Sequence, residues 1–301
     1  MSDNILDVII IGGSYAGLSA AMTLGRAGRQ ALVIDSGLPC NRQTPHSHNF
    51  LTQDGSTPAA IAALAKEQVL RYPTIRLLSD TVTGASRQAA GFSITTASGQ
   101  SHTAHKLLFT TGIRDTMPPI PGFADCWGIS VLHCPYCHGY EVKQQPTGIL
   151  ASGDTAFEFA KLILNWTPDL TVYTNGPTGF THEQQARLAQ HQIRVISSPV
   201  AHFTHHNGYI QSITFEDGST AFLKALYARL PFTQHSPLPA SLGCDFNEMG
   251  FITVDVLQQT TVPGIYAAGD NTTPFRAVSG AVAGGSMAGA AINKALIEEQ
   301  F

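Results

Sequence analysis

Two cysteines separated by two residues, Cys134 and Cys137, are the most informative feature of the 301-residue sequence. A Cys-x-x-Cys pair can open and close as a disulphide, and its thiolate form is a nucleophile. Pro135 suits a turn that opens a helix, where the helix N-terminal field lowers the pKa of one thiol. His138 follows directly, and a histidine with an ordinary, near-neutral pKa can accept or return a thiol proton. The stretch therefore predicts thiol–disulphide exchange.

The neighbours of the cysteine pair leave other interpretations open. Glu141 could orient His138 if the helix continues past Gly139. His133 and His138 flank the pair and raise the alternative of a zinc site. No second CxxC pair, and no HxxxH pair near this motif in the sequence, completes four ligands, so we expect no metal. Cysteines with only a structural role are a further alternative, which the nucleotide-binding patterns around them disfavour.

The N-terminal segment carries a nucleotide-binding pattern. Residues 7–11 form a continuous apolar run, which is typical of a buried parallel strand. Gly12, Ser14 and Gly17 then occupy the three positions of a G-x-G-x-x-G turn, and a small residue such as serine still lets a backbone approach a pyrophosphate. A helix and a second buried strand follow, and that strand ends at Asp35. The spacing predicts that Asp35 accepts hydrogen bonds from a ribose.

A second unit of the same kind lies in the middle of the chain. Its turn keeps Gly153 but has Ala151 and Ser152 where further glycines are usual. The elements expected around this turn are a strand at 147–150, a helix at 157–164 and a strand at 170–173. The sequence thus predicts two βαβ units, which is typical of a parallel α/β fold.

Composition excludes several classes of function. The net charge of −4 gives no electrostatic case for nucleic acid, and no apolar run approaches the roughly 20 residues of a membrane helix. The first four residues are acidic and do not resemble a signal peptide. Five cysteines are too few for a secreted disulphide scaffold of this length. We therefore expect a cytoplasmic protein.

The arrangement resembles the low-molecular-weight thioredoxin reductase family, and the likeness covers essentially the whole chain. It is carried by the turn at 12–17, by Asn49, by the cysteine pair at 134–137 and by Gly269-Asp270. The resemblance implies an α/β fold with two doubly wound Rossmann-like dinucleotide-binding domains, the first of them discontinuous in sequence. The expected domains are an FAD-binding domain at 1–114 and 240–301 and an inserted pyridine-nucleotide-like domain at 115–239, which carries the cysteine pair.

The resemblance also implies roles for individual residues. Gly12, Gly17 and Asp35 would bind the adenosine half of FAD. The other implied cofactor contacts are Asn49 near the isoalloxazine, Gly269 and Asp270 at the ribityl or pyrophosphate region, and Arg276 close by. Cys137 would be the flavin-facing thiol and Cys134 the exchanging one. The family further implies a homodimer.

One departure from the family concerns NADPH. The resemblance implies an arginine cluster for the 2′-phosphate after the strand at 170–173, but residues 173–178 contain neither arginine nor lysine. A 2′-phosphate carries nearly two charges and needs cationic partners. The sequence therefore predicts that the enzyme does not depend on NADPH.

Another departure lies after the cysteine pair, where classical members have an aspartate. The string His138-Gly139-Tyr140-Glu141 is similar to the dithiol oxidases that close disulphides in natural products such as gliotoxin and holomycin. That branch passes electrons from a dithiol through FAD to oxygen. The stretch that includes His46 and His48 also resembles this branch, and these two histidines could shape a substrate cleft or cap a loop.

The favoured function is thus an FAD-dependent dithiol–disulphide oxidoreductase that oxidises a small-molecule dithiol with oxygen. The alternative enzyme reduces a thioredoxin-like protein with electrons from ferredoxin or a nicotinamide. A non-enzymatic alternative is a redox sensor that retains FAD.

Overall fold

The computed structural model describes residues 5–301, whose contacts divide the chain into two units. Unit 1 comprises the chain up to Arg42, then 50–114 and 232–301. Unit 2 comprises 43–49 and 115–231. Each unit contains a parallel sheet with its own hydrophobic core.

The elements of unit 1 are β1 (Leu6–Ile11), α1 (Tyr15–Arg26), β2 (Ala31–Asp35), α2 (Pro58–Leu70), β3 (Ile75–Ser79), β4 (Val82–Gln88), β5 (Gly91–Thr96), β6 (Ser101–Phe109), β7 (Ile113–Asp115), and, after the insertion, β16 (Phe232–Gln234), α7 (Leu238–Ser241), β17 (Ile265–Ala267) and α8 (Val278–Gln300). Seven of the strands form one sheet in the order β3-β2-β1-β6-β5-β4, with β17 paired to β6. The strands β3, β2, β1, β6 and β17 run parallel, and β4 and β5 add an antiparallel meander.

The apolar run of β1 is buried on both faces, as a central parallel strand requires. Val8 and Ile10 point into the core formed with α1 and α8, whereas Ile9 and Ile11 point into the core on the opposite face. The alternation has the period of two that strands impose. The first helix begins at Tyr15, so the glycine-rich turn lies between the end of β1 and the start of α1.

Helices α1 and α8 approach each other closely because glycine stands where α8 crosses α1. A Cβ atom at Gly285 would collide with the main-chain oxygen of Ala16, and one at Gly289 would lie 2.9 Å from the main-chain oxygen of Ala20. This packing fixes the start of α1, and with it the turn that precedes the helix.

Unit 2 contains a parallel sheet in the order β11-β10-β9-β15-β8 and a three-stranded antiparallel sheet of β12, β13 and β14. The elements are α3 (Phe123–Cys126), β8 (Val131–Leu132), α4 (Pro135–His138), β9 (Thr147–Leu150), α5 (Gly153–Ile163), β10 (Leu170–Tyr173), α6 (His182–Gln190), β11 (Arg194–Ile196), β12 (Val200–His206), β13 (Tyr209–Phe215), β14 (Thr220–Phe222) and β15 (Ala225–Ala228). The predicted second βαβ unit is present as β9, α5 and β10. The predicted fold class, α/β with two Rossmann-type sheets, is confirmed.

The two contact units differ from the expected domain boundaries in two places. The chain returns to unit 1 at Phe232 rather than at 240, since β16 pairs with β7 as soon as the insertion ends. The short segment 43–49 belongs to unit 2, because Gln43 and Thr44 pack against Gly128. Within residues 5–301, no helix is long and apolar enough to cross a membrane.

Candidate functional site

The glycine-rich turn of unit 1 is shaped by close backbone contacts. Gly12 has a φ of +106°, and a Cβ atom there would collide with the main-chain oxygen of Thr110. A Cβ atom at Gly17 would collide with the main-chain oxygen of Gly12. Thr110 Oγ1 donates a hydrogen bond of 2.7 Å to that same oxygen. Side chains at Gly12 and Gly17 would therefore push the turn away from α1, where a pyrophosphate is held in dinucleotide folds.

Ser14 is the N-cap residue of α1, and its side chain makes no capping hydrogen bond. The main-chain N–H groups of a first helical turn have no partners within the helix, and they bind anions. Ser14 thus leaves these N–H groups of α1 without a side-chain cap.

Asp35 lies at the carboxyl end of β2 and is oriented by main-chain donors. Gly13 N–H donates to Asp35 Oδ1 at 2.9 Å, and Gly37 N–H donates to Oδ2 at 3.2 Å. Lys66 Nζ lies 4.0 Å from Oδ2. An ionised carboxylate offers about four acceptor positions, so Asp35 keeps capacity for the hydroxyl groups of a ribose.

The closing element follows β17 at the same edge of the sheet. Gly269 has a φ of +94°, which turns the chain so that Asp270 follows the strand end. Arg276 Nε lies 3.7 Å from Asp270 Oδ2, and Cys40 Sγ lies 3.8 Å from the same oxygen. The predicted residues Gly269, Asp270 and Arg276 therefore form one cluster in unit 1.

Buried polar atoms in unit 1 fit a polar ligand at this edge. Among the buried polar atoms of unit 1 without a hydrogen-bond partner are Asn41 Oδ1, Thr111 Oγ1 and Asn271 Oδ1. Thr111 follows the end of β6 and Asn271 follows the end of β17. Ligands of parallel α/β sheets bind outside the carboxyl ends of the strands. Together with Asp35 and the turn at Gly12, this donor and acceptor set fits FAD.

The cysteine pair of unit 2 forms a disulphide, with the two Cα atoms 5.3 Å apart. Cys134 is the N-cap residue of α4, a single turn in which Pro135 is the first residue. Cys137 N–H donates to Cys134 Sγ at 3.2 Å. The first turn of α4 thus presents a main-chain donor to the sulphur of Cys134.

His138 does not have the near-neutral pKa that its position in the sequence suggests. Burial and, to a smaller extent, the nearby charge of His48 together lower the pKa of His138 to about 4. The neutral imidazole is therefore the stable form at physiological pH.

Glu141 does not orient His138, because its partner is a different histidine. The helix ends at His138, and Glu141 Oε1 lies 3.5 Å from Nε2 of His48. The His48 ring in turn meets the His138 ring edge to face, with centroids 6.4 Å apart. The structure thus brings together the cysteine pair, His138 and Glu141, and it adds His48.

Because Gly139 has no side chain, Trp166 packs against the main chain next to the cysteine motif. A Cβ atom at Gly139 would lie 2.8 Å from the indole ring of Trp166 and 2.5 Å from Pro135 O. Tyr136 contacts the same indole edge to face, with centroids 5.4 Å apart. Trp166 was not predicted as a site residue, since nothing in its local sequence marks it.

The residues that remain to be placed are Asn49 and the cysteines outside the pair. Asn49 belongs to the 43–49 segment of unit 2 and has a φ of +58°, a left-handed conformation that asparagine tolerates. Of the other cysteines, Cys126 and Cys244 are buried and Cys40 is exposed. Among residues 5–301, no group of three histidine, cysteine, aspartate or glutamate side chains could hold a metal ion.

Comparisons with known proteins agree with this geometry. A family profile described as pyridine nucleotide-disulphide oxidoreductase matches residues 6–286. The thioredoxin reductase tcpT of Claviceps purpurea is 34% identical over 96% of this chain and 93% of its own length. An oxidoreductase of Agrobacterium tumefaciens is 38% identical with a TM-score of 0.91, covering 98% of this chain and 99% of that one. A putative thioredoxin reductase TrxB of Bacillus anthracis is 30% identical with a TM-score of 0.93, covering 98% of this chain and 100% of that one.

Proposed function

Since the chain belongs to the pyridine nucleotide-disulphide oxidoreductase family and is an FAD-binding thiol–disulphide oxidoreductase, we propose that it oxidises a small dithiol and passes the electrons to oxygen. In this proposal NADPH is not the electron donor. The observation that carries the proposal is the state of the nucleotide turn in unit 2.

At the position where a dinucleotide would bind, the main chain of that turn is hydrogen-bonded to the segment around Thr178. Gly153 is the first residue of α5, and its N–H donates to Thr178 O at 2.8 Å. Gly153 and Gly179 also pack together, since a Cβ atom at Gly179 would lie 3.3 Å from the Cα atom of Gly153. A pyrophosphate at the start of α5 would have to displace this contact.

The segment that covers the turn is itself held by hydrogen bonds. Asn175 Oδ1 accepts from Val200 N–H at 2.7 Å, and Thr174 Oγ1 donates to Gly176 O at 2.6 Å. Gly176 N–H donates to Ser197 O at 3.0 Å. Opening the segment would cost several of these bonds, each worth about 1 kcal/mol net.

The nearby cations are paired with carboxylates. Lys161 on α5 contacts Glu158 at 2.8 Å, and Arg187 on α6 lies 3.6 Å from Glu183. These exposed pairs are individually weak. They nevertheless reduce the positive potential available to a 2′-phosphate, and this supports independence from NADPH.

The proposed chemistry uses the cysteine pair for thiol exchange. A substrate thiolate attacks Cys134 Sγ, the bond between Cys134 and Cys137 breaks, and the electron pair stays on Cys137 as a thiolate. The second substrate thiolate then attacks the mixed disulphide, which releases Cys134 and the substrate disulphide. FAD, when bound, supplies a two-electron acceptor for the reduced cysteines and a route for those electrons to oxygen, which becomes hydrogen peroxide.

In the same proposal His138 receives the proton of the attacking substrate thiol. It adjoins Cys137 in α4, and its neutral imidazole has a lone pair available. Because burial holds its pKa at about 4, His138 passes the proton on rather than keeping it.

A second candidate function is reduction of a thioredoxin-like protein with electrons from ferredoxin or a nicotinamide. It is favoured by the names of the relatives, several of which are thioredoxin reductases. Tyr136, inside the cysteine motif, is 62% exposed and could contact a protein substrate.

Oxygen consumption with a panel of small dithiols tests the proposal. We expect one hydrogen peroxide for each disulphide formed, and no uptake by the Cys134→Ser variant. The alternative is tested by anaerobic mixing with NADPH, with NADH and with reduced ferredoxin, followed by addition of thioredoxin. Thioredoxin turnover without oxygen uptake would replace the oxidase proposal with the reductase. A flavin that stays oxidised with every donor would favour a redox sensor.

Two further properties are proposed, the first from the family resemblance and the second from the composition. We expect a homodimer, which sedimentation analysis measures directly. We also expect a cytoplasmic location, which fractionation of the native cells would test.

A further inference from the structure

His48, in unit 2, has no role in the thiol exchange proposed above. It lies far from the cysteine motif in sequence, yet the segment 43–49 packs within the same unit. Its side chain is 20% exposed, and Glu141, its partner at 3.5 Å, is 39% exposed. The contact therefore lies near the surface of the unit, where protons exchange with solvent.

His48 and His138 compete for a proton. Their rings meet edge to face with centroids 6.4 Å apart, and a positive charge on His48 opposes one on His138. Glu141 Oε1 lies 3.5 Å from Nε2 of His48, where a carboxylate can accept a hydrogen bond from a protonated ring.

We propose that His48 is a positioning residue of the dithiol half-reaction: its pair with Glu141 holds the proton that His138 receives from the substrate thiol. The step is balanced by the exchange already described. The substrate S–H bond breaks, its sulphur bonds to Cys134, the electron pair goes to Cys137, and the proton moves through His138 to His48. This inference rests on the thiol exchange of the proposed function, but it does not depend on whether oxygen accepts the electrons.

Other titratable groups surround this pair. His46 lies with its ring centroid 6.4 Å from that of His48. Tyr227 has a pKa raised by burial and by the charge of Glu141, so it stays protonated at the pH values of interest. Neither Tyr227 nor His138 ionises near neutral pH, so the experiment compares variants of His48 and of His46.

The test is the pH dependence of anaerobic flavin reduction by dithiothreitol, followed by stopped-flow absorbance between about pH 5 and 9. We expect the wild type to show an inflection near neutral pH. His48→Gln should lose that inflection and slow reduction by about 10²-fold, the lower end of the worth of a positioned proton carrier. Glu141→Gln should move the inflection to lower pH, since the charged form of His48 loses its carboxylate. His46→Gln is the matched control and should keep the wild-type profile.

His138→Gln should slow reduction but keep the inflection. An unchanged inflection in His48→Gln, or its loss in His138→Gln or His46→Gln, would overturn the proposal. Flavin content and the thermal midpoint of each variant separate a local effect from misfolding. If dithiothreitol reduces no form of the enzyme, the same pH titration is made on the thiolate–flavin charge-transfer band after two-electron photoreduction. In that titration His48→Gln should lose the inflection, and His138→Gln and His46→Gln should keep it. An inflection kept in His48→Gln, or lost in either of the other two variants, would overturn the proposal.

An absence of oxygen uptake combined with the expected pH profiles would remove the oxidase proposal and leave the role of His48 intact. Oxygen uptake combined with an unchanged profile in His48→Gln would remove the role of His48 and leave the oxidase proposal intact. The two proposals therefore fail by different outcomes.

Discussion

The main-chain N–H of Cys137 points at the sulphur of Cys134, at 3.2 Å. The family resemblance implies that Cys134, the sulphur beside this donor, exchanges with the substrate. The family resemblance assigns Cys137 to the flavin. The two sulphur atoms therefore have different chemistry although only Pro135 and Tyr136 separate them.

We expect the two cysteine variants to differ in their spectra. Cys134→Ser leaves the Cys137 thiolate in place and should keep or strengthen a long-wavelength charge-transfer band with the flavin. Cys137→Ser should lose the band. Absorbance spectra of the variants at neutral pH decide the order, and a band found only in Cys137→Ser would exchange the two roles.

The buried imidazole of His138 couples protonation to stability. Its pKa in the folded protein is about 4, below the ordinary value of 6.5, so the unfolded chain binds a proton more readily. Stability rises with pH wherever the unfolded state binds more protons. His138 therefore favours unfolding as the pH falls from about 6.5 towards 4, and its effect is constant above that window.

His138→Gln tests this coupling. We expect the thermal midpoint of the wild type to fall more steeply between pH 6.5 and 4 than that of the variant, because glutamine does not titrate. Scanning calorimetry at a series of pH values measures the difference. Parallel curves for the two proteins would show that His138 is not held neutral by burial.

At the scale of elements, α8 fixes the position of the nucleotide turn through its contact with α1. Gly285 stands against the main-chain oxygen of Ala16, the second residue of α1. The neighbouring Gly284 has more room, since its Cβ would lie 3.5 Å from the nearest atom, Oε1 of Gln258. The two glycines are adjacent in the same helix but meet different surroundings.

Gly285→Ala and Gly284→Ala should therefore change stability in opposite directions. Gly285→Ala forces α8 away from α1 and should lower the free energy of unfolding by about 1–3 kcal/mol, the usual cost of overpacking. Gly284→Ala should raise it by about 0.5–1 kcal/mol, because alanine is the better helix former. Chemical denaturation measures both. Equal effects would mean that the contact with Ala16 is not limiting.

At the scale of the whole molecule, the chain stores electrons in two places. The disulphide of Cys134 and Cys137 takes two, and the FAD of a family member takes two more. The other three cysteines are free thiols and contribute no acceptor.

Anaerobic dithionite titration should therefore require two electron pairs per chain, whereas Cys134→Ser should require one. The absorbance of oxidised flavin and the titrant volume give this ratio directly. A wild-type protein that takes up only one pair would show that the disulphide is not redox-active.

Local sequence patterns predicted much of the fold correctly. The strands at 147–150 and 170–173 and the strand that ends at Asp35 were all predicted, because apolar runs with flanking turns are local signals. The contact units place the return of the chain to unit 1 at Phe232, where β16 pairs with β7, and a long-range pairing of this kind has no local signal in the sequence.

The sequence by itself determined the nucleotide turn, the cysteine motif and the lack of basic residues at 173–178, since each is a property of adjacent residues. Only the tertiary structure decided that Glu141 pairs with His48 and that burial lowers the pKa of His138. It also decided that Thr178 O accepts the hydrogen bond of Gly153 N–H. The physical reason is the same in each case. Hydrogen bonding and desolvation depend on residues that are distant in the chain, and packing alone brings them together.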